Sequence, residues 1–158
     1  MRALVLAAGL TLLAAAPAAA QTDVGGSVPS MLELRLDDPS GFASFPAGPG
    51  EHELKIHARV TSTGNRAFVR VADGDVASGR RLGRMASNAS VLDEPLEARV
   101  GSDPFQPLNT AIDPIVAEFG PVSNEHVAIH VRQRINAGER PRGTYDKTLL
   151  ITLSSNAP

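Results

Sequence analysis

The 158-residue sequence predicts an all-β chain, folded as a sandwich of two antiparallel sheets with about seven to eight strands. Three observations predict it. Apolar and polar residues alternate with a period of two in segment after segment, so each segment, read as a strand, buries one face. Glycine and proline number 14 and 12, and they fall between these segments as turn punctuation. No helical period persists for the roughly 11 residues of an average helix.

The elements follow in order. Leu32-Glu33-Leu34-Arg35-Leu36 puts its leucines on one face and its charges on the other, and Asp37-Asp38-Pro39-Ser40-Gly41 then turns the chain. Glu53 to Val60 is the clearest strand, with Leu54, Ile56, Ala58 and Val60 alternating with Glu53, Lys55, His57 and Arg59. Wound as a helix, those apolar positions would scatter around the whole circumference. Thr63-Gly64-Asn65 turns into Phe68-Val69-Arg70-Val71, which ends at Asp73-Gly74-Asp75. Val76 to Leu92, rich in glycine and carrying Arg80, Arg81 and Arg84, reads as a long loop with room for a short strand. Leu96 to Val100 alternates again. Asp103 to Pro114 holds three prolines and reads as edge or loop, because proline cannot donate to a sheet ladder.

His126 to Ile135 and Thr144 to Leu153 read as two long strands joined by the turn-rich Asn136 to Gly143, and local pairing would make them a central hairpin. Val127, Ile129, Val131 and Ile135 line one face of the first; Leu149, Ile151 and Leu153 line one face of the second. Tyr145, the only tyrosine, is in phase with Leu149. Its ring is expected to close the end of the core while its hydroxyl reaches loop backbone or water.

The N-terminal segment sets the compartment. Arg2, the apolar run Ala3 to Ala16, Pro17 and the small residues Ala18-Ala19-Ala20 read as a cleaved export signal over residues 1–20. The run is shorter than the roughly 20 apolar residues a membrane span needs, and an uncleaved anchor is the alternative. Residues 21–158 then form a single β-sandwich domain, secreted or held at the cell envelope, with no membrane span. Setting Arg2 aside leaves 14 basic against 17 acidic residues, a balance with no general attraction for nucleic acid or anionic lipid. The absence of cysteine excludes disulfides, lipoprotein acylation, a thiol nucleophile and thiolate metal sites.

The closing residues Gly143-Thr144-Tyr145-Asp146-Lys147-Thr148-Leu149, followed by Thr152-Leu153-Ser154, resemble the last strand of a group of uncharacterised secreted proteins of high-GC Gram-positive bacteria. Short patches spread over most of residues 21–158 are similar too. These are Val28-Pro29-Ser30, the Phe42 to Gly48 turn, Val60-Thr61-Ser62-Thr63, Pro95-Leu96, Gly120-Pro121-Val122-Ser123-Asn124, and Gln133 with Ile135. More distantly, the ending is similar to the WxL cell-wall-binding domain, but the chain has no tryptophan, so wall binding does not carry over. The closer resemblance implies an immunoglobulin-like sandwich outside the cell and implies no activity.

Candidate sites stand beside plainer readings. His126 and His130 share a strand face but lie four residues, roughly 13 Å, apart, too far to share a metal ion. His57 sits on a solvent face, and a zinc site would need His52 and a carboxylate from another strand to converge. Asp37-Asp38 and Asp73-Gly74-Asp75 offer calcium-type oxygens, yet Asp-Gly is above all a turn dipeptide. Ser62, Ser78, Ser87, Ser90 and Ser123 lie in expected loops without a nucleophile motif, and no glycine pattern cradles a phosphate. Arg80, Arg81 and Arg84 form the densest positive patch, a solvated loop or a contact for an anionic envelope polymer. Lys147 is expected to point outward at a strand entrance; an intramolecular isopeptide bond would require it to be buried with an asparagine and an acid. Asn88-Ala89-Ser90 matches a glycosylation sequon, of little meaning if the source is bacterial, as the resemblance implies.

The sequence therefore leads to a secreted, non-catalytic module with structural, adhesion or interaction roles at the cell envelope, without catalytic residues, metal or cofactor. Its expected partner is an envelope polymer or surface protein, with oligomeric state left open. The alternatives are a fimbrial-type subunit assembling by strand exchange, and a hydrolase or metal-binding enzyme with no recognisable motif.

Overall fold

The computed structural model describes residues 30–37, 41–42, 48–88, 90–110 and 112–155. The export signal expected at 1–20 lies outside them. The described residues form strands β1 (Leu32–Asp37), β2 (Gly50–Ser62), β3 (Ala67–Asp73), β4 (Glu97–Val100), β5 (Gln106–Pro107), β6 (Ile115–Phe119), β7 (Val122–Ile135) and β8 (Leu149–Ser154), with one short 3-10 turn at Gly79–Arg81. A five-stranded sheet, ordered β1-β2-β7-β4-β5, packs against a three-stranded sheet, ordered β6-β3-β8, and every pairing is antiparallel. The chain is thus an all-β sandwich.

The two-residue rhythm explains the larger sheet. Across β2 and β7, Leu54 pairs with Val131, Ile56 with Ile129 and Ala58 with Val127, all turned inward. The alternate pairs, Glu53 with Arg132, Lys55 with His130 and Arg59 with His126, fall on the outer face. β4 continues the rows, setting Ala98 beside Val131 and Val100 beside Ile129. Val60, Val69, Val71, Ala98, Ile129 and Val131 are completely buried or nearly so. Each of these valine and isoleucine side chains gains about 1.5–3 kcal/mol on leaving water.

Four expectations need correction. β7 and β8 do not form a hairpin: β7 lies between β2 and β4, whereas β8 pairs with β3 at the edge of the facing sheet. The connection through residues 136–148 crosses between sheets instead of turning back along one. β8 begins only at Leu149, because Thr144 to Thr148 approaches as an irregular segment with a single bridge, Asp146 to Ala86. β1 does not bury all its leucines, since Leu32 and Leu36 are 40% and 38% exposed and only Leu34 packs well on the core. Finally, Ile115–Phe119 is a strand where none was assigned, and it pairs with β3. Its buried residues, Val116 and Ala117, are adjacent rather than alternate, and a register shift between Val69 and Arg70 accommodates them.

The Val76 to Leu92 stretch is a loop, as expected, but an anchored one. Met85 and Leu92 enter the core, and the backbone of Ala86 exchanges hydrogen bonds with Asp146. Gly83 is the pivot. With φ at +66°, it lies so close to Leu108 that an added Cβ would fall 2.4 Å from that backbone carbonyl. Only glycine accommodates both conditions.

Candidate functional site

A pocket of about 560 Å³ opens between the sheets. Leu36 of β1, Leu54 and Ile56 of β2, and Val131 of β7 form one wall, and Leu149 and Ile151 of β8 the other. Phe42, Met85 and Leu96 add apolar surface, and the backbone segment Gly143 to Lys147 forms a rim. The volume falls in the range of small-ligand sites, roughly 300–1,000 Å³. Tyr145 closes part of this end, its ring buried as expected, while its hydroxyl hydrogen-bonds the Ser90 side chain rather than loop backbone alone.

Lys147 departs most from expectation. Its side chain is 5% exposed, facing inward to Asp73, whose side chain is 4% exposed. Lys147 Nζ lies 2.6 Å from Asp73 Oδ2 and 3.3 Å from Asp75 Oδ2, and it donates to the Arg81 carbonyl at 3.2 Å. These three acceptors saturate the ammonium. The Asp73 carboxylate takes two backbone donors as well, Gly83 N–H onto Oδ2 at 2.7 Å and Asp75 N–H onto Oδ1 at 3.0 Å. Hydrogen bonds from the Thr148 side chain, and then from Lys147, hold the Asp75 carboxyl below the usual carboxylate range despite the opposing push of burial.

The glycines explain why the sequence folds this way. Gly74 lies where a Cβ would meet Thr148 and Leu149 at 3.0–3.2 Å, so β3 can close on the entrance to β8. Gly83 brings its loop down to deliver the second donor. Asp73-Gly74-Asp75 is therefore a turn, with its oxygens engaged by an ammonium.

The outer face of the five-stranded sheet holds the other charges. Arg132 Nη2 lies 2.8 Å from Glu97 and its Nη1 3.3 Å from Glu51, while Arg134 Nε lies 3.0 Å from Glu51. The guanidiniums of Arg132 and Arg99 both lie over the Phe105 ring, 3.8 and 4.3 Å from its centre. His130, expected on the solvent face, is half-buried and hydrogen-bonds Glu53 through Nδ1. His57 and His126 are exposed, and His52 Nε2 contacts the Gly48 carbonyl at 2.9 Å. Beyond them, Asp37 binds Arg59 in a two-point pair, which holds the Asp37 carboxyl low and raises the Arg59 guanidinium. Among the described residues, no three of His, Cys, Asp and Glu gather as a metal-holding group.

The arginine patch lies on the anchored loop. Arg80 and Arg81 are exposed, with Arg80 3.8 Å from Asp93. Arg84 is half-buried, its Nε donating to the Asp93 carbonyl and its Nη1 to that of Arg80. Arg81 and Arg84 border a smaller pocket with Asp75, Asp146 and Lys147, so acids interrupt the positive patch.

The chain matches no protein-family model, and no curated protein matches it in sequence. No helix among the described residues is long and apolar enough to cross a membrane. Sequence reasoning missed the buried Lys147–Asp73 pair and the inter-sheet pocket. The available signal for the pair was Gly74 between Asp73 and Asp75, where an added Cβ would meet Thr148 and Leu149, marking a close backbone approach.

Proposed function

We propose that the chain is an exported, non-catalytic module that works by surface contact at the cell envelope. One observation carries this reading: the charged groups on the outer sheet face and at the pocket rim are engaged with one another. On the outer sheet face Glu51, Glu97, Arg132 and Arg134 form one network, and at the pocket rim Lys147 is held by Asp73 and Asp75. The pocket walls are aliphatic. A rigid sandwich with paired charges and an apolar recess suits recognition, with loops and one sheet edge displayed on a fixed scaffold. The exported location and the resemblance to secreted proteins of high-GC Gram-positive bacteria belong to the same proposal. So does a contact of Arg80 and Arg81 with an anionic envelope polymer.

Fractionation of producing cells tests it. The protein should sit in the medium or with wall material, and isolated envelope polymer or surface protein should retain it. A cytosolic protein with an intact N-terminus would overturn the reading.

A second reading, assembly by strand exchange, draws on β8. Among the described residues this strand has one ladder partner, β3, and its Leu150 is 51% exposed. An exposed edge is a template for another strand. Filaments that grow with concentration would support it, and a monomer on sizing at every concentration would remove it.

A further inference from the structure

We propose that Lys147 and Asp73 condense to an intramolecular isopeptide bond, with Asp75 as the proton carrier. Lys147, expected from sequence to point outward, instead meets two aspartates, with no asparagine among its described partners. Four observations converge on the reaction. Nζ and Oδ2 are 2.6 Å apart, so the nitrogen is held in direct contact with the carboxyl group it would attack. Both side chains are about 95% withdrawn from water, with 5% and 4% exposure. A second carboxylate, Asp75, lies 3.3 Å from the same nitrogen and is itself 44% exposed, so it can exchange protons with solvent. The backbone N–H groups of Asp75 and Gly83 point at the two Asp73 oxygens.

The steps balance without an oxidant, reductant or second substrate. In the first step one proton passes along the 2.6 Å contact from the ammonium to Asp73 Oδ2 and leaves a neutral amine beside a neutral acid. The Nζ lone pair then attacks the Asp73 carboxyl carbon. Negative charge develops on Oδ1, where the Asp75 N–H stabilises it, as fixed backbone donors do for acyl-transfer intermediates. The Asp75 carboxylate takes one proton from Nζ and passes it to the departing Oδ2 hydroxyl. One C–N bond has formed, one C–O bond has broken, and one water leaves. The product replaces a buried ion pair with a neutral amide, leaves Asp75 ionised near the surface, and ties β3 to the entrance of β8. In a chain without cysteine it is a covalent staple independent of redox conditions.

The experiment is intact-mass measurement of the purified, folded full chain, with its N-terminus fixed by sequencing, followed by proteolysis and fragmentation. The expected mass is short of the sequence mass by one water, and the digest contains a branched peptide joining the Lys147 segment to the Asp73 segment. Lys147→Arg and Asp75→Ala should both return the full mass while keeping the β-rich circular dichroism of the parent. If Asp75→Ala does not fold, Asp75→Asn serves the same purpose. A folded parent chain at full mass overturns the proposal. So does water loss without a branched peptide, as a cyclic imide at Asp73-Gly74 would give, and so does an unchanged yield of cross-link in the folded Asp75 variant.

Discussion

Replacing Gly83 by alanine should be far more damaging than the same change at Gly79, although both glycines have positive φ, +66° and +57°. At Gly79 an added Cβ meets nothing within 4 Å, so the cost is that of placing alanine in the left-handed region, about 1 kcal/mol. At Gly83 the Cβ would lie 2.4 Å from the Leu108 carbonyl carbon and oxygen and 2.5 Å from Asn109 N. Those are backbone atoms and cannot swing aside, so the loop must lift. With Asp73 still a carboxylate, lifting it breaks the Gly83 donation to Asp73, a bond to a charged acceptor contributing about 1.5–3 kcal/mol. It also strains the Leu96 N–H to Gly83 carbonyl bond at 2.8 Å, which contributes about 1 kcal/mol. With the conformational term, Gly83→Ala should lose about 4 kcal/mol, a large share of the ~5–15 kcal/mol that holds a domain folded. Urea unfolding followed by circular dichroism reads this directly. For a slope near ~2 kcal/mol per molar urea, the midpoint should fall by about 2 M for Gly83→Ala and about 0.5 M for Gly79→Ala. Equal midpoint losses would refute the argument, because the Leu108 contact would then have no energetic weight.

Ile129→Ala, at the centre of β7, should cost about 2–5 kcal/mol and Ile129→Val about 0.5–1.5 kcal/mol in the same assay, since the completely buried side chain leaves a cavity in proportion to what is removed. Ser62→Ala should be neutral or slightly stabilising, within about 1 kcal/mol, because the Ser62 hydroxyl is buried without a protein partner among the described residues; a clear loss of thermal stability would reveal a bond it makes. Acid should weaken the fold through Asp37 and Glu118, whose carboxyls are held low chiefly by hydrogen bonds from Arg59 and Arg66. A depressed folded value means the contribution is complete above the unfolded carboxylate range, near pH ~4, and is lost as pH falls through the lower folded value. Thermal melts should therefore be flat with respect to these groups above about pH 5 and decline below about pH 4, and a decline beginning near pH ~6–7 would point to histidine instead.

Much of the sandwich was legible because alternation is a local signal. β2 shows Leu54, Ile56, Ala58 and Val60 inward and charges outward in both sequence and structure. What failed was anything set by distant neighbours. Leu32 and Leu36 alternate as well as Leu54 does, yet β1 is an edge strand, so the pattern overstated their burial. β7 and β8 are adjacent in sequence and both apolar, but the segment between them crosses to the other sheet, and periodicity says nothing about which sheet a strand joins. Ile115–Phe119 broke the rhythm by burying Val116 and Ala117 side by side. Lys147 reads as a surface lysine until Asp73 is placed opposite it, a contact across 74 residues of chain that two glycine close approaches make possible.

The first and last strands leave the sandwich at one pole. Met31, just before β1, is hydrogen-bonded to Thr63 at the turn that follows β2, and Ser154, which ends β8, pairs with Phe68 just beyond that same turn. Both strands are sheet edges, and they touch along one flank. Tension drawing the two ends apart would peel each edge strand from its neighbour one rung at a time, the weak direction for a ladder, instead of shearing all rungs together. A domain hung this way yields at low force, until the peeling of β8 arrives at Lys147.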